Sequence, residues 1–355
     1  MNPKQVFEKL RFEFFKAGNL LGQEECPSLS TVYRILNPVI EAQRQNQFRP
    51  SEVQRLQVTS ANFSNEMWWC DLIRLPQQVR DCFGEPAGYP ILISLHDGYS
   101  HNIVGAKLTL SSSPEEAVAL TVRQAILPKE IKKENAPSHK WTASGLPTHL
   151  ITNWAKDFSK LSRLGSILGV EVHRGHPAWR IGGAIESFNW HIVHAVRHLP
   201  ERENQQIGWS LAELEEFIVL YIVNQYNQQS FSKDLHHTRT QRWEAGLVKF
   251  PPDVPLERSL DICLPKTGNR VVQNSGCVQF EGWIYRDAGL SSHIGESVHL
   301  RYNPSNITTI LVYQQQGGEE NFLARACIQH FHEESLSLDD ARAIRHRQRQ
   351  ERNPD

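Results

Sequence analysis

Three short stretches of this 355-residue chain hold the residue types that phosphoryl-transfer chemistry needs. Trp69-Cys70-Asp71 ends on an acid, and Gly182-Gly183-Ala184-Ile185-Glu186 places another acid near the start of a predicted helix. Between them lies Thr152-Asn153-Trp154-Ala155-Lys156-Asp157-Phe158. Two-metal phosphoryl transfer clusters carboxylates so that the ions can activate the attacking oxygen and stabilise the leaving one. Hard cations such as magnesium take oxygen ligands, so Asp and Glu are the expected residue types. Asp71 and Glu186 are accordingly candidate metal ligands and catalytic residues.

The flanking patterns predict the elements that would position them. Apolar runs at Trp68–Leu75, Tyr89–Leu95 and His101–Leu110, with Asp97-Gly98-Tyr99-Ser100 as a turn signal, predict a three-strand meander. Pro114 opens a helix through Ala125. A strand over Thr148–Thr152, a helix over Lys156–Leu168, a short strand over Val170–His173 and helices over Gly183–Leu199 and Leu211–Asn227 follow. A meander followed by strands alternating with helices is the order of an RNase H-like α/β domain. In such a sheet Asp71 and Glu186 converge at one edge.

Beyond Pro251 the helical pattern stops. Alternating runs such as Cys277–Phe280, Val298–Tyr302 and Thr308–Tyr313, separated by Gly and Asn/Pro turns, predict a small all-β barrel. The expected organisation is a helical segment over 1–45, a linker over 46–62, the α/β domain over 63–250, the barrel over 265–328 and a basic helical tail over 335–352. Ser337-Leu338-Asp339-Asp340 predicts the capped start of that tail.

Composition narrows the partners only slightly. With 38 basic and 39 acidic residues there is no global pull toward nucleic acid, so a DNA binder of this balance must concentrate its cations locally. No apolar stretch reaches membrane-spanning length, and Met1–Lys16 lacks the apolar block of a signal peptide. The six cysteines contain no C-x-x-C pair, which argues for reduced thiols and a cytoplasmic location and against a zinc or disulfide framework.

The chain resembles the Mu and TnsB branch of the retroviral integrase superfamily, TnsB of cyanobacterial CRISPR-associated transposons most of all. The resemblance runs from Pro27 to Arg347 through ordered segments: Ser30–Arg34, Trp69–Asp71, Asp97–Ser100, Tyr221–Asn227, Arg242–Leu247, Gly295–Pro304 and Asn306–Tyr313. It implies an RNase H-like integrase core followed by a Mu transposase C-terminal barrel, and a DDE metal site for magnesium-dependent strand transfer. Asp71 matches the first ligand and Glu186 the third. The second falls on Asn153, 33 residues before Glu186, close to the family's interval.

Asn153 therefore offers a neutral carbonyl where the family has an anion. Two dications about 4 Å apart repel by a gross term on the order of 15 kcal/mol at an effective dielectric of about 20. Two carboxylates compensate that poorly. Trp154 and Ala155 also replace small positions in the same loop, which points to decay or repurposing rather than an isolated change. Asp157 matches the family's Lys-Asp-Phe, where it is not a ligand. Two readings follow. One is a silent DNA-binding or assembly protein; the alternative is an active transposase that tolerates Asn153.

The resemblance implies DNA, both transposon ends and target, as partner, with an active transposase or an AAA+ ATPase of the same element as a further one. Candidate DNA contacts are Ser30, Thr31, Tyr33 and Arg34 on a helix-turn-helix remnant, Lys156 beside the loop, and Arg342 and Arg345 on the tail. The insertion lysines from Lys129 to Lys140, with Lys160 and Arg163, are further candidates. His191, His194 and His198 share a helical face and His173 lies near His176, spacings that suit a transition metal. The absence of nearby cysteine favours surface or DNA-facing histidines. Full family members carry further N-terminal DNA-binding domains and a C-terminal ATPase-contacting extension, so this chain is expected to be trimmed at both ends.

Overall fold

A computed structural model of the protein describes residues 61–111, 114–129, 138–152, 158–175, 183–199, 208–231, 234–248, 252, 254–329, 331 and 335–352. The helix-turn-helix expected over Ser30–Arg34, and the loop holding Asn153 and Lys156, lie outside these residues. The described residues fall in the unit Val58–Asp355, which holds an α/β sheet and a barrel.

The sheet is built around β1 (Met67–Arg74). After a small hairpin of β2 (Val79–Arg80) and β3 (Pro86–Gly88), β4 (Ile91–Asp97) and β5 (Ile103–Thr109) complete the predicted meander. β6 (His149–Thr152) and β7 (Glu171–Arg174) add to the other side, giving the order β5-β4-β1-β6-β7. β4 runs antiparallel to both β1 and β5, whereas β1, β6 and β7 are parallel. That order and those directions make the domain RNase H-like. The Asp97 carboxylate closes the β4–β5 turn by accepting from the Ser100 amide (2.8 Å) and hydroxyl (2.6 Å) and from the Asn65 amide (2.8 Å). Burial raises the Asp97 pKa, against the pull of those hydrogen bonds.

Strand period decides which residues share a face. Cys70, Leu95 and Gly105 point one way, toward α1 (Glu115–Ile126). Gly105 is required there, because a Cβ would stand 2.9 Å from the Ala125 Cβ. Trp69, Asp71, Ser94 and His96 point the other way. After α2 (Phe158–Leu168), helix α3 (Ala184–Arg197) covers this second face, burying Ala184, Phe188, Ile192 and Val196 at four-residue intervals. Phe188 meets His96 and Tyr226 edge to face at 5.0 and 4.9 Å.

The helix predicted over Leu211–Asn227 divides in two. α4 (Leu211–Tyr221) starts on a Ser210/Glu213 capping box, and a π-helical turn, Ile222–Tyr226, follows. The π turn rotates Asn227 inward, where its side chain accepts from the Ile103 amide (3.0 Å) and donates to the Ile103 carbonyl (3.1 Å). A second hairpin, β8 (Ser230–Phe231) and β9 (Asp234–Thr238), leads to α5 (Arg239–Ala245).

The second sheet is antiparallel throughout. It comprises β10 (Arg270–Val271), β11 (Cys277–Phe280), β12 (Trp283–Arg286), β13 (Ser297–Asn303), β14 (Asn306–Gln316) and β15 (Glu319–Ile328). Its order is β10-β13-β14-β15-β12-β11, and a bridge between Gln273 and Cys277 nearly closes it into a barrel. Val278, Tyr285, Val298, Leu300, Ile310 and Val312 fill the interior. The tail helix α6 (Leu338–Arg352) starts where Ser337 and Asp340 cap one another and lays Leu338 and Ala341 on the barrel core.

Candidate functional site

Asp71 sits on the fifth residue of β1, half-buried, on the face that α3 covers. Its Oδ2 accepts a 2.8 Å hydrogen bond from the side-chain amide of Asn189. Asn189 lies three residues after Glu186 on α3, so the two side chains project from adjacent turns of the same face. Glu186 lies in the first turn of α3 and is exposed, one turn before the residue that holds Asp71. Acids in the first turn are also favoured by the helix dipole. Cys70 pairs with Thr152, the last residue of β6, and Asn153 follows Thr152 in the chain.

Sequence reasoning missed Asn189, although the i+3 spacing from Glu186 would have found it. Because the carboxylate can only accept, the amide nitrogen must face Asp71. The Asn189 Oδ1 is then buried with no hydrogen-bond partner among the described residues.

The donor set can be tested against a hard cation. The Asp71 Oδ1 and the Glu186 carboxylate are suitable oxygen ligands, and they are the groups that would hold a magnesium ion. The other Asp71 oxygen is engaged by Asn189. Among the described residues, Asp71 and Glu186 thus supply oxygen donors of the type a hard cation takes.

The other candidate residues divide by environment. Arg342 and Arg345 both reach Glu281 in the barrel, at 3.0 and 3.4 Å, which fixes the tail helix while leaving about half of each side chain exposed. Lys129 is engaged within the fold. Its ammonium is buried, donates to the carbonyls of Ala125 (2.7 Å) and Ala143, and lies 5.3 Å over the Trp141 ring. Burial lowers its pKa well below the usual lysine range. On α3, Trp190 is 63% exposed and stacks on His194, which stacks on His198 at 4.2 Å. His191 and His198 direct Nδ1 at the helix carbonyls of Ser187 and His194.

Residues 261–325 match the Mu transposase C-terminal family. The chain is 24% identical over 347 residues to the transposase of transposon Tn552 from Staphylococcus aureus, a match covering 92% of this chain and 67% of that protein. The chain is thus similar to transposases, and its barrel is of the Mu C-terminal type. Among solved structures, the catalytic core domain of BIV integrase aligns with TM-score 0.32 and 14% identity, over 51% of this chain and 95% of that one. A simian T-cell lymphotropic virus intasome in complex with the PP2A regulatory subunit B56 gamma aligns with TM-score 0.34 and 12% identity, over 86% of this chain and 92% of its own. Among the described residues no helix is long and apolar enough to cross a membrane.

Proposed function

We propose that this chain is a DNA-binding protein of the transposase and integrase type whose strand-transfer chemistry is impaired at Asn153. One observation supports the reading: Asp71 on β1 accepts from Asn189, one helical turn past Glu186 on α3, while the residue after Thr152 is an amide. The similarity to the Tn552 transposase along nearly the whole chain supports transposon ends and target DNA as ligands. The exposed Trp190–His194–His198 stack offers π faces to unpaired bases on the same helix as Glu186. Ser30, Thr31, Tyr33, Arg34 and Lys156 are the proposed phosphate and base contacts of the remaining chain, joined by the half-exposed Arg342 and Arg345. An active transposase or an AAA+ ATPase of the same element is the proposed protein partner.

The test is strand transfer of labelled duplex oligonucleotides into supercoiled plasmid with magnesium, beside gel-shift binding of the same duplexes. The unmodified chain should bind and show no transfer. Asn153→Asp should leave binding unchanged and raise transfer by at least about 100-fold, because losses from outer-sphere changes alone reach 10–100-fold. Transfer by the unmodified chain at the level of Asn153→Asp would overturn the reading.

A further inference from the structure

The first residue of β6 and two residues of β7 meet on the sheet face that holds Asp71, but at the other end of the strands. His149 pairs in register with Glu171, and His173 follows two residues along β7, so all three side chains share one face. The His149 Nδ1 lies 3.1 Å from the His173 Nε2 and 3.3 Å from the Glu171 Oε2, and the His173 Nε2 lies 3.5 Å from the same oxygen. Three donor atoms therefore form a nearly equilateral triangle. A tetrahedral cation with bonds of about 2.05 Å has ligand-to-ligand edges of about 3.3 Å, which is the mean side of this triangle.

Both imidazoles are mostly shielded, at 16% and 18% exposure, whereas Glu171 is 66% exposed. One side of the triangle thus faces solvent and leaves room for a fourth, water ligand. A hydrogen bond between the two rings explains the 3.1 Å separation, and the Glu171 oxygen, 3.3 and 3.5 Å from the two ring nitrogens, completes the triangle. Among the described residues this is the one group of three such side chains whose ligand atoms converge.

We propose that His149, Glu171 and His173 bind a late first-row transition cation, zinc by preference, as an open three-ligand site. Imidazole donors select zinc, copper or nickel over magnesium, so the site is chemically separate from the hard-oxygen donor Asp71. It is also spatially separate. The register puts Asp71 one or two strands away and two to four residues along, roughly 12–16 Å. That is far beyond the roughly 4 Å of a bridged metal pair. The ion clips β7, an edge strand, to β6 and closes the 24-residue segment carrying α2. It also fixes the strand that runs directly into Asn153.

Chelator-treated full-length protein, titrated with zinc chloride in excess magnesium, should take up one zinc at low micromolar concentration and melt several degrees higher. Cobalt in place of zinc should show the visible d–d absorption of a four- or five-coordinate ion. His149→Gln with His173→Gln should abolish that uptake and spectrum. Glu171→Gln, on an exposed side chain that folding does not require, should weaken binding about tenfold, within the range for losing a tuning or ligating group. No uptake at low micromolar zinc, or uptake unchanged in the paired histidine variant or in Glu171→Gln, would overturn the assignment.

Discussion

At the residue scale the decisive contact is the amide of Asn189 against the carboxylate of Asp71. A hydrogen bond to a charged group contributes roughly 1.5–3 kcal/mol when shielded and less when half-exposed. Asn189→Ala should therefore lower unfolding free energy by about 1 kcal/mol, read as a shift of the urea midpoint with the slope unchanged. An unmoved midpoint would mean that the bond does not form in solution. The strand under Asp71 and the helix start at Glu186 were legible in the sequence because each needs only a local cue. Asn189 could have been found from its place one turn past Glu186. The His149–Glu171–His173 triangle could not, because 22 residues separate His149 from Glu171 and only the parallel register of β6 and β7 joins them. Lys129 misled for another reason. A lysine in a polar insertion reads as solvated, and only the fold shows it terminating α1 against Trp141.

At the scale of elements, the segments that carry the family resemblance turn out to hold one another. Arg242 donates from Nε to the Tyr99 carbonyl at 3.0 Å and stacks its guanidinium 4.7 Å from the Tyr99 ring. Ser64 donates its hydroxyl to Trp243 and its amide to Gly246. Asn227 serves β5 as a substitute strand neighbour, and Arg239 lies 4.1 Å over Tyr226 while donating to its carbonyl. These motifs therefore read as packing joints of the α/β core. Gly246 is the tightest of them, since a Cβ would stand 2.4 Å from the Tyr99 Cε1 and 2.5 Å from the Ser64 hydroxyl. Tyr99 cannot swing aside without losing Arg242. Gly246→Ala should thus cost about 2–3 kcal/mol by overpacking. Gly268→Ala, which meets nothing within 4 Å, should stay within about 0.5 kcal/mol. Equal midpoints for the two variants in thermal or urea unfolding would refute the argument. The hairpins β2–β3 and β8–β9 escaped the sequence reading because their first strands, β2 and β8, are two residues long and carry no periodicity to detect.

At the scale of the whole α/β–barrel unit, one polar joint ties the helix layer to the barrel. Arg123 of α1 pairs with Glu257 at 2.7 Å and approaches Asp261 at 3.9 Å, and Asp261 accepts from the Tyr313 hydroxyl at 2.7 Å. Arg301, 5% exposed, donates to the carbonyls of Asp261 and Leu264 and reaches Glu320, which also holds Lys266 at 2.8 Å. Leu120, Leu264, Leu311 and Tyr313 seal the joint with apolar contact. The alternating runs of the barrel were legible in the sequence, but a joint made by residues 123, 261, 301 and 320 depends on how the two sheets are placed and leaves no local trace. Its titration is a test of it. Burial alone would raise the Glu320 pKa, but hydrogen bonds and charge from Lys266 and Arg301 outweigh it and hold the carboxyl at about 2. An unfolded Glu titrates near 4.3. Between these values the unfolded chain binds the proton more readily, so Glu320 stabilises the fold above about pH 4.5, and that contribution is lost as pH falls toward 2. With screening at a carboxylate 26% exposed, the loss is on the order of 1–2 kcal/mol. Between pH 6 and pH 3 the native chain should therefore lose more unfolding free energy than Glu320→Gln. Other carboxylates contribute equally to both proteins, so the difference isolates this joint. Parallel losses in the two would show that Arg301 and Lys266 do not hold Glu320 in solution.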